Sequence, residues 1–279
     1  MYKPSFENNR EFKKLEREEA IDIKKEKYDN LLKFVSKNAE DLRIDLHLPI
    51  KNDCRISEDS FQKVIPLEEI EADKQKIKEI KNKWQNPEKN KEALGEKMEV
   101  FKTAIFQKFM GKDYITIRSS EFDDIINHTD NIIIERKTGN IVSAFDEVMI
   151  ESEFSSYDER KKEKKEKIRR LNTKGILLRY GIRLVNKINP ETNKKEKRAK
   201  TDRETRVPIF CLSLSREKLE HGIDNFDNKE ISRDIFDFFM SNLKEQIEEM
   251  KSYPEIPEYL TDKIITFKKS LEEKKYIKK

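Results

Sequence analysis

The residues best placed to do chemistry are two aspartates flanking a short turn. Asp130 and Asp146 lie on either side of Lys137-Thr138-Gly139, with 15 residues between them. The stretches NIIIER (131–136) and NIVSAFDEV (140–148) are β-branched and apolar enough to pair as strands. A type I turn followed by glycine in the left-handed region closes a three-residue hairpin loop. In that register Arg136 faces Asn140 and Asp130 faces Asp146. Their Cβ atoms then lie roughly 4.5 to 5.5 Å apart, on the face shared by Ile132, Ile134, Val142 and Ala144. Like charges so close are destabilising unless a proton or cation comes between them. Paired carboxylates are what a hard divalent ion such as Mg²⁺ takes. A four-residue loop would instead set Asp130 across from Glu147 and turn Asp146 to the other face.

The elements that must position these acids follow from hydrophobic spacing. From Lys89 to Met110, Leu94, Met98, Phe101, Ile105 and Phe109 form one helical stripe, which Gly111 ends. YITI (114–117) reads as a strand before the hairpin, and the Lys-rich run from Tyr157 to Leu171 as a helix after it. GILLRYGIRLV (175–185) and VPIFCLSL (207–214) are further strands. Residues 186–206 read as a mobile basic loop. Residues 1–87 form a helical N-terminal region, with an amphipathic helix or two over 7–38 and another over 67–84 that stops at Asn86-Pro87. Within it, LRIDLHLPI (42–50) alternates like a strand that Pro49 ends or confines to an edge. Residues 88–228 make the core, and residues 229–279 add two helices, over 230–252 and 257–274, that pack on it. The order predicts an α/β (α+β) fold, a mixed sheet of about four to five strands flanked by helices.

Composition narrows the partners. Charged residues are 42% of the chain and hydrophobic ones 35%, with few glycines and prolines, which favours long solvated helices around a small centre. Net charge is only +4, yet Arg160 to Arg206 holds 19 Lys or Arg against 6 Asp or Glu. Such a segment either attracts phosphate backbones or is a solvated charged face. Its candidate phosphate contacts are Lys164, Arg169, Arg170, Lys194, Lys195, Lys197 and Arg198. No apolar run reaches membrane-spanning length and no apolar leader opens the sequence, so a soluble, cytoplasmic protein with no membrane partner is expected. Cys54 and Cys211 lack metal-ligand spacing, and His47, His128 and His221 are scattered.

The stretch HTDNIIIERKTGNIVSAFDEV (128–148) resembles the core of PD-(D/E)XK nuclease-like proteins, and RSSEFDDI (118–125) is similar to uncharacterised bacterial proteins of that type. In that family a helix is followed by three strands, a helix and another strand. An Asp begins the second strand, and an acid, any residue and Lys lie on the third. The resemblance implies a restriction-endonuclease-like core with helical extensions and a metal-dependent nuclease that uses Mg²⁺ or Mn²⁺. Asp130 and Asp146 match the acidic positions. Val148 stands where the third-strand lysine belongs, so the lysine is supplied from elsewhere, with Lys161, Lys162 and Lys165 as candidates, or the protein is an inactive relative that binds nucleic acid or acts as a scaffold. An alternative alignment pairs Asp124 with Glu135-Arg136-Lys137. Glu99, off the apolar stripe of its helix, is either a further metal ligand or a solvated side chain. Glu121, Asp123 and Asp124 either add a ligand or cap a turn.

Overall fold

The computed structural model describes residues 6–83, 89–150, 166–190, 193–202 and 205–277. Helix α1 (Phe6–Leu46) and α2 (Leu67–Lys83) precede α3 (Lys89–Met110), β1 (Tyr114–Arg118), α4 (Glu121–Asn127), β2 (Asn131–Glu135) and β3 (Ile141–Ile150). Helix α5 is described over 166–172. Then come β4 (Ile176–Leu178), β5 (Gly181–Ile188), β6 (Lys195–Asp202), β7 (Thr205–Val207), β8 (Ile209–Ser215), α6 (Arg216–Asp224), α7 (Lys229–Met250) and α8 (Glu258–Glu273). Among the described residues no helix is long and apolar enough to cross a membrane.

The central sheet is mixed and has the order β1-β2-β3-β8. β1, β2 and β3 form an antiparallel meander, and β8 runs parallel to β3. A parallel neighbour demands a long crossover. Here it spans residues 151–208 and carries α5 and two ribbons, β4–β7 and β5–β6. The inward residues of β1 and β2 are buried throughout. Phe106 of α3 packs on Phe145 of β3 and on Phe236 and Phe239 of α7. Phe267 of α8 packs on Phe210 and Tyr114. Buried side chains from Leu31 to Ile277 join one continuous core.

The N-terminal segment also enters the sheet. Ile56 N–H donates to the Arg118 carbonyl and Arg118 N–H to the Cys54 carbonyl, so residues 54–56 lie alongside β1 in parallel. The opposite edge, β8, is covered by a side chain that imitates a strand. Gln246 of α7 accepts from Cys211 N–H at 2.8 Å and donates to the Cys211 carbonyl at 2.6 Å, which closes a backbone edge that otherwise invites pairing.

Three expectations change. Residues 42–46 continue α1 rather than forming a strand: Leu31, Val35, Ala39 and Leu42 are buried at helical spacing, while Ile44 is 65% exposed. The period of 3.6 therefore wins over the alternation. His47, with φ +55°, then turns the chain, and Pro49 blocks further helix. The strand stretch of 175–185 is split into β4 and β5, because Arg179 N–H and Tyr180 N–H turn aside to donate to the Asp123 carboxylate at 2.8 and 3.0 Å. Residues 186–206 are not a mobile loop over their described part. β5 and β6 pair over eight residues, with Leu184 and Ile182 buried, and the turn closes through Asn189 N–H to Lys194 O.

The hairpin of β2 and β3 reaches the register of the three-residue reading through a different turn, and the loop that would set Asp130 across from Glu147 is not formed. Next to the turn the spacing is that of a four-residue loop: Glu135 N–H donates to Asn140 O, Gly139 N–H to Glu135 O, and Ile134 pairs with Ile141. A bulge at Val142 then adds one residue to β3, so Ile133 pairs with Ser143 and Asn131 with Phe145. That is the register a three-residue loop would have set. Gly139 has φ +78°, and a Cβ there would lie 2.2 Å from the Leu184 carbonyl oxygen. The same close approach lets Leu184 N–H donate to Gly139 O and docks the β5–β6 ribbon on the turn.

Candidate metal centre

The site is assembled at the end of the sheet where β1 leaves and β2 enters. Ser119 N–H donates to Asp130 O, and Asp130 N–H donates to Phe145 O at 2.8 Å, which fixes Asp130 beside the 145–146 segment of β3. Between the strands α4 makes a tight connection. Ser120 caps its N-terminus by accepting from Asp123 N–H, and His128 ends it in the left-handed region. This short helix brings Asp124 back toward α3, where Glu99 waits. Glu99, Asp124 and Asp130 each present a carboxylate oxygen within 4.8 Å of the others. All three donors are hard oxygens, as Mg²⁺ or Mn²⁺ prefers.

Two arginines bind members of this group. Arg118, 1% exposed, directs Nε and Nη2 to Glu99 Oε2 at 3.0 and 2.7 Å and Nη1 to Asp53 at 2.9 Å. Arg55 bridges Glu99 Oε2 through Nη2 and Asp124 Oδ2 through Nη1, both at 2.8 Å. Among the described residues the second oxygen of Glu99 and of Asp124 accepts no hydrogen bond, so each carboxylate keeps one oxygen for a cation. The donor set of the three acids therefore fits a divalent cation. Burial, and next the neighbouring charge of Glu99, push the Asp124 carboxyl up to about 6. Burial works against the charge of Arg55, but Glu99 and Asp124 outweigh it and hold the guanidinium above its ordinary value.

The remaining expected residues have the following partners. Asp146 is buried and accepts from Lys167 of α5 at 3.2 Å. Glu99 is not solvated, since its side chain is 13% exposed and held by both arginines. Asp123 is a structural hub. Its carboxylate accepts from Ser120, Asn127 and the Arg179 and Tyr180 N–H groups, while burial pushes its pKa up. Glu121 pairs with Lys81. Glu135 binds Ser270 at 2.6 Å and Lys274 at 2.9 Å at the far end of β2, roughly 16 Å from Asp130 at about 3.3 Å per residue. The alternative set of Asp124 with Glu135 and Lys137 is therefore not brought together.

Lys161, Lys162, Lys164 and Lys165 lie outside the described residues. Of the remaining basic candidates, Arg169 pairs with Glu255 and stacks on Tyr253, and Arg198 pairs with Glu196 at 3.2 Å. Lys197 donates to the Arg136 and Lys137 carbonyls. Arg170, Lys194 and Lys195 are exposed. Thus part of the basic segment is spent on docking its own ribbon.

Sequence reasoning passed over Arg55, Arg118 and Lys102. Lys102, one turn beyond Glu99 on α3, is wholly buried, with its ammonium 5.5 Å from the Phe145 ring centre. A lysine inside an apolar stripe was the available signal for it. Nothing in the local sequence marks Arg55. In comparisons with known proteins, no family model, curated protein or solved structure matches the chain.

Proposed function

We propose that this chain is a PD-(D/E)XK nuclease-like, metal-dependent phosphodiesterase acting on DNA or RNA, with Mg²⁺ or Mn²⁺ held by Glu99, Asp124 and Asp130. The observation that carries the reading is the convergence of these three acids at one end of the sheet. The order of α3, a three-strand meander, α5 and a strand parallel to β3 supports it, because that is the order the resemblance implies. A divalent cation, when bound, lowers the pKa of water and offsets charge developing on a phosphate.

The chain's own residues do the rest. Arg118 fixes Glu99 from behind, and the strand bonds of Asp130 fix the second ligand. Lys167 takes the part that Val148 cannot. It is partly exposed, sits against Asp146 and is able to meet a phosphate oxygen without leaving that acid. The exposed cations of the β5–β6 ribbon extend the phosphate contact.

The second reading is a nucleic-acid-binding protein on the same fold without catalysis, favoured by Val148 at the third-strand lysine position, paired with Ser213 of β8. Labelled single- and double-stranded DNA and RNA, incubated with Mg²⁺, Mn²⁺ or EDTA, separate the two. Metal-dependent cleavage that Asp130→Asn abolishes supports the enzyme. Salt-sensitive binding without cleavage supports the second reading, and absence of both sinks the two together.

A further inference from the structure

We infer that Arg55 is a positioning residue with two stations, a counter-ion for the acids when no cation is bound and a phosphate holder when one is. The inference rests on the metal-site reading above. Its starting point is the difference between two arginines that touch the same carboxylate. Arg118 is 1% exposed, lies on a strand and spends its whole fork on Glu99 and Asp53. Arg55 is 13% exposed and bridges two of the three proposed ligands with one nitrogen to each. A cation joining those acids meets the guanidinium as a competing positive charge beside both of them.

The geometry supplies somewhere for that charge to go. Asp53, two residues earlier, accepts from Arg55 N–H at 3.1 Å, and its carboxylate already lies 3.9 Å from Arg55 Nε. Turning the side chain toward Asp53 therefore leaves neither the guanidinium nor Asp53 without an opposite charge. The backbone has no such freedom. Arg55 O accepts from Lys51 N–H, and its neighbours Cys54 and Ile56 are both bonded to Arg118. Movement is thus confined to the side chain. Asp53 is 35% exposed, so this station reaches solvent. A planar two-nitrogen fork released from two carboxylates matches a phosphate's non-bridging oxygens. An ammonium does not reproduce that match.

The test measures Mn²⁺ binding to the full chain alone, by calorimetry or by electron paramagnetic resonance, for wild type, Arg55→Ala and the charge-neutral Arg55→Gln. Expected is Mn²⁺ binding at least tenfold tighter in both variants, together with a raised KM for nucleic-acid cleavage that Arg55→Lys does not restore. The Gln variant preserves hydrogen-bond donors and guards against a folding defect in the Ala variant, and circular dichroism checks both. Binding that is unchanged or weaker in folded variants overturns the two-station inference while leaving the metal site standing. Absence of Mn²⁺ binding in wild type and variants alike overturns the metal-site reading and the inference with it.

Discussion

Replacing Asp124 by Asn probes the electrostatics of the acid cluster most directly. The Asp124 carboxyl is raised from an ordinary 3.8 to about 6, chiefly by burial and then by Glu99. A carboxyl raised on folding takes up a proton more readily in the native state. Its contribution to stability is complete below the unfolded value and is lost as pH rises through about 6. At about 1.4 kcal/mol per pKa unit, a shift of roughly two units amounts to about 3 kcal/mol. The side chain is 23% exposed, so solvent trims this figure. Asn mimics the protonated acid. Asp124→Asn is therefore expected to be more stable than wild type by about 1 to 3 kcal/mol at pH 8 and by about half as much at pH 5, which still lies above the unfolded value, read from urea midpoints at constant slope in EDTA. Glu99→Gln, which removes the second cause, narrows the pH difference. The reasoning is refuted if Asp124→Asn is more destabilising at pH 8 than at pH 5. That result would mean that the Arg55 bond stabilises the charge more than burial and Glu99 oppose it.

Arg118→Met removes one partner of a buried ion pair and leaves Glu99 and Asp53 without their main counter-charge. A cost of about 3 to 5 kcal/mol is expected by chemical denaturation, and a loss under 1 kcal/mol would show the network to be dispensable. Gly139→Ala forces a left-handed residue and a Cβ into the Leu184 carbonyl. It should cost about 2 kcal/mol or more and loosen the β5–β6 ribbon, seen as faster amide exchange at Leu184. Lys187→Gln with Lys200→Gln on the exposed ribbon should leave folding intact and flatten the salt dependence of duplex DNA binding by about 0.9 per lysine. An unchanged slope would place the nucleic acid elsewhere.

Much of the framework was readable one element at a time. The span of α3, the three-strand meander and the two closing helices follow from side-chain periods of 3.6 and 2, which are local properties. Misreadings arose where the period was ambiguous or where a distant group took over the backbone. Residues 42–46 satisfy both periods, and the burial of Leu42 beneath the helix decided between them. The break at Arg179 and Tyr180 has no local cause, since the Asp123 carboxylate that makes it lies 56 and 57 residues away. The hairpin shows a subtler failure: one glycine does not specify a loop length, and a bulge at Val142 restored the far register after a longer turn had shifted the near one.

Which acids exist near the turn was a matter of sequence, because Asp130, Asp146, Glu99 and Asp124 are all visible there as acids at element ends or off an apolar stripe. Which of them share a centre was decided only by tertiary structure. Helix α4 folds Asp124 back to α3, and Arg55 arrives from 44 residues before Glu99 and 69 before Asp124. Coulomb attraction and desolvation depend on distances of a few ångströms across the fold and carry no signature along the chain. Local spacing reveals strands and helices, whereas the charge state of Asp124 exists only once burial, Glu99 and two arginines are brought around it.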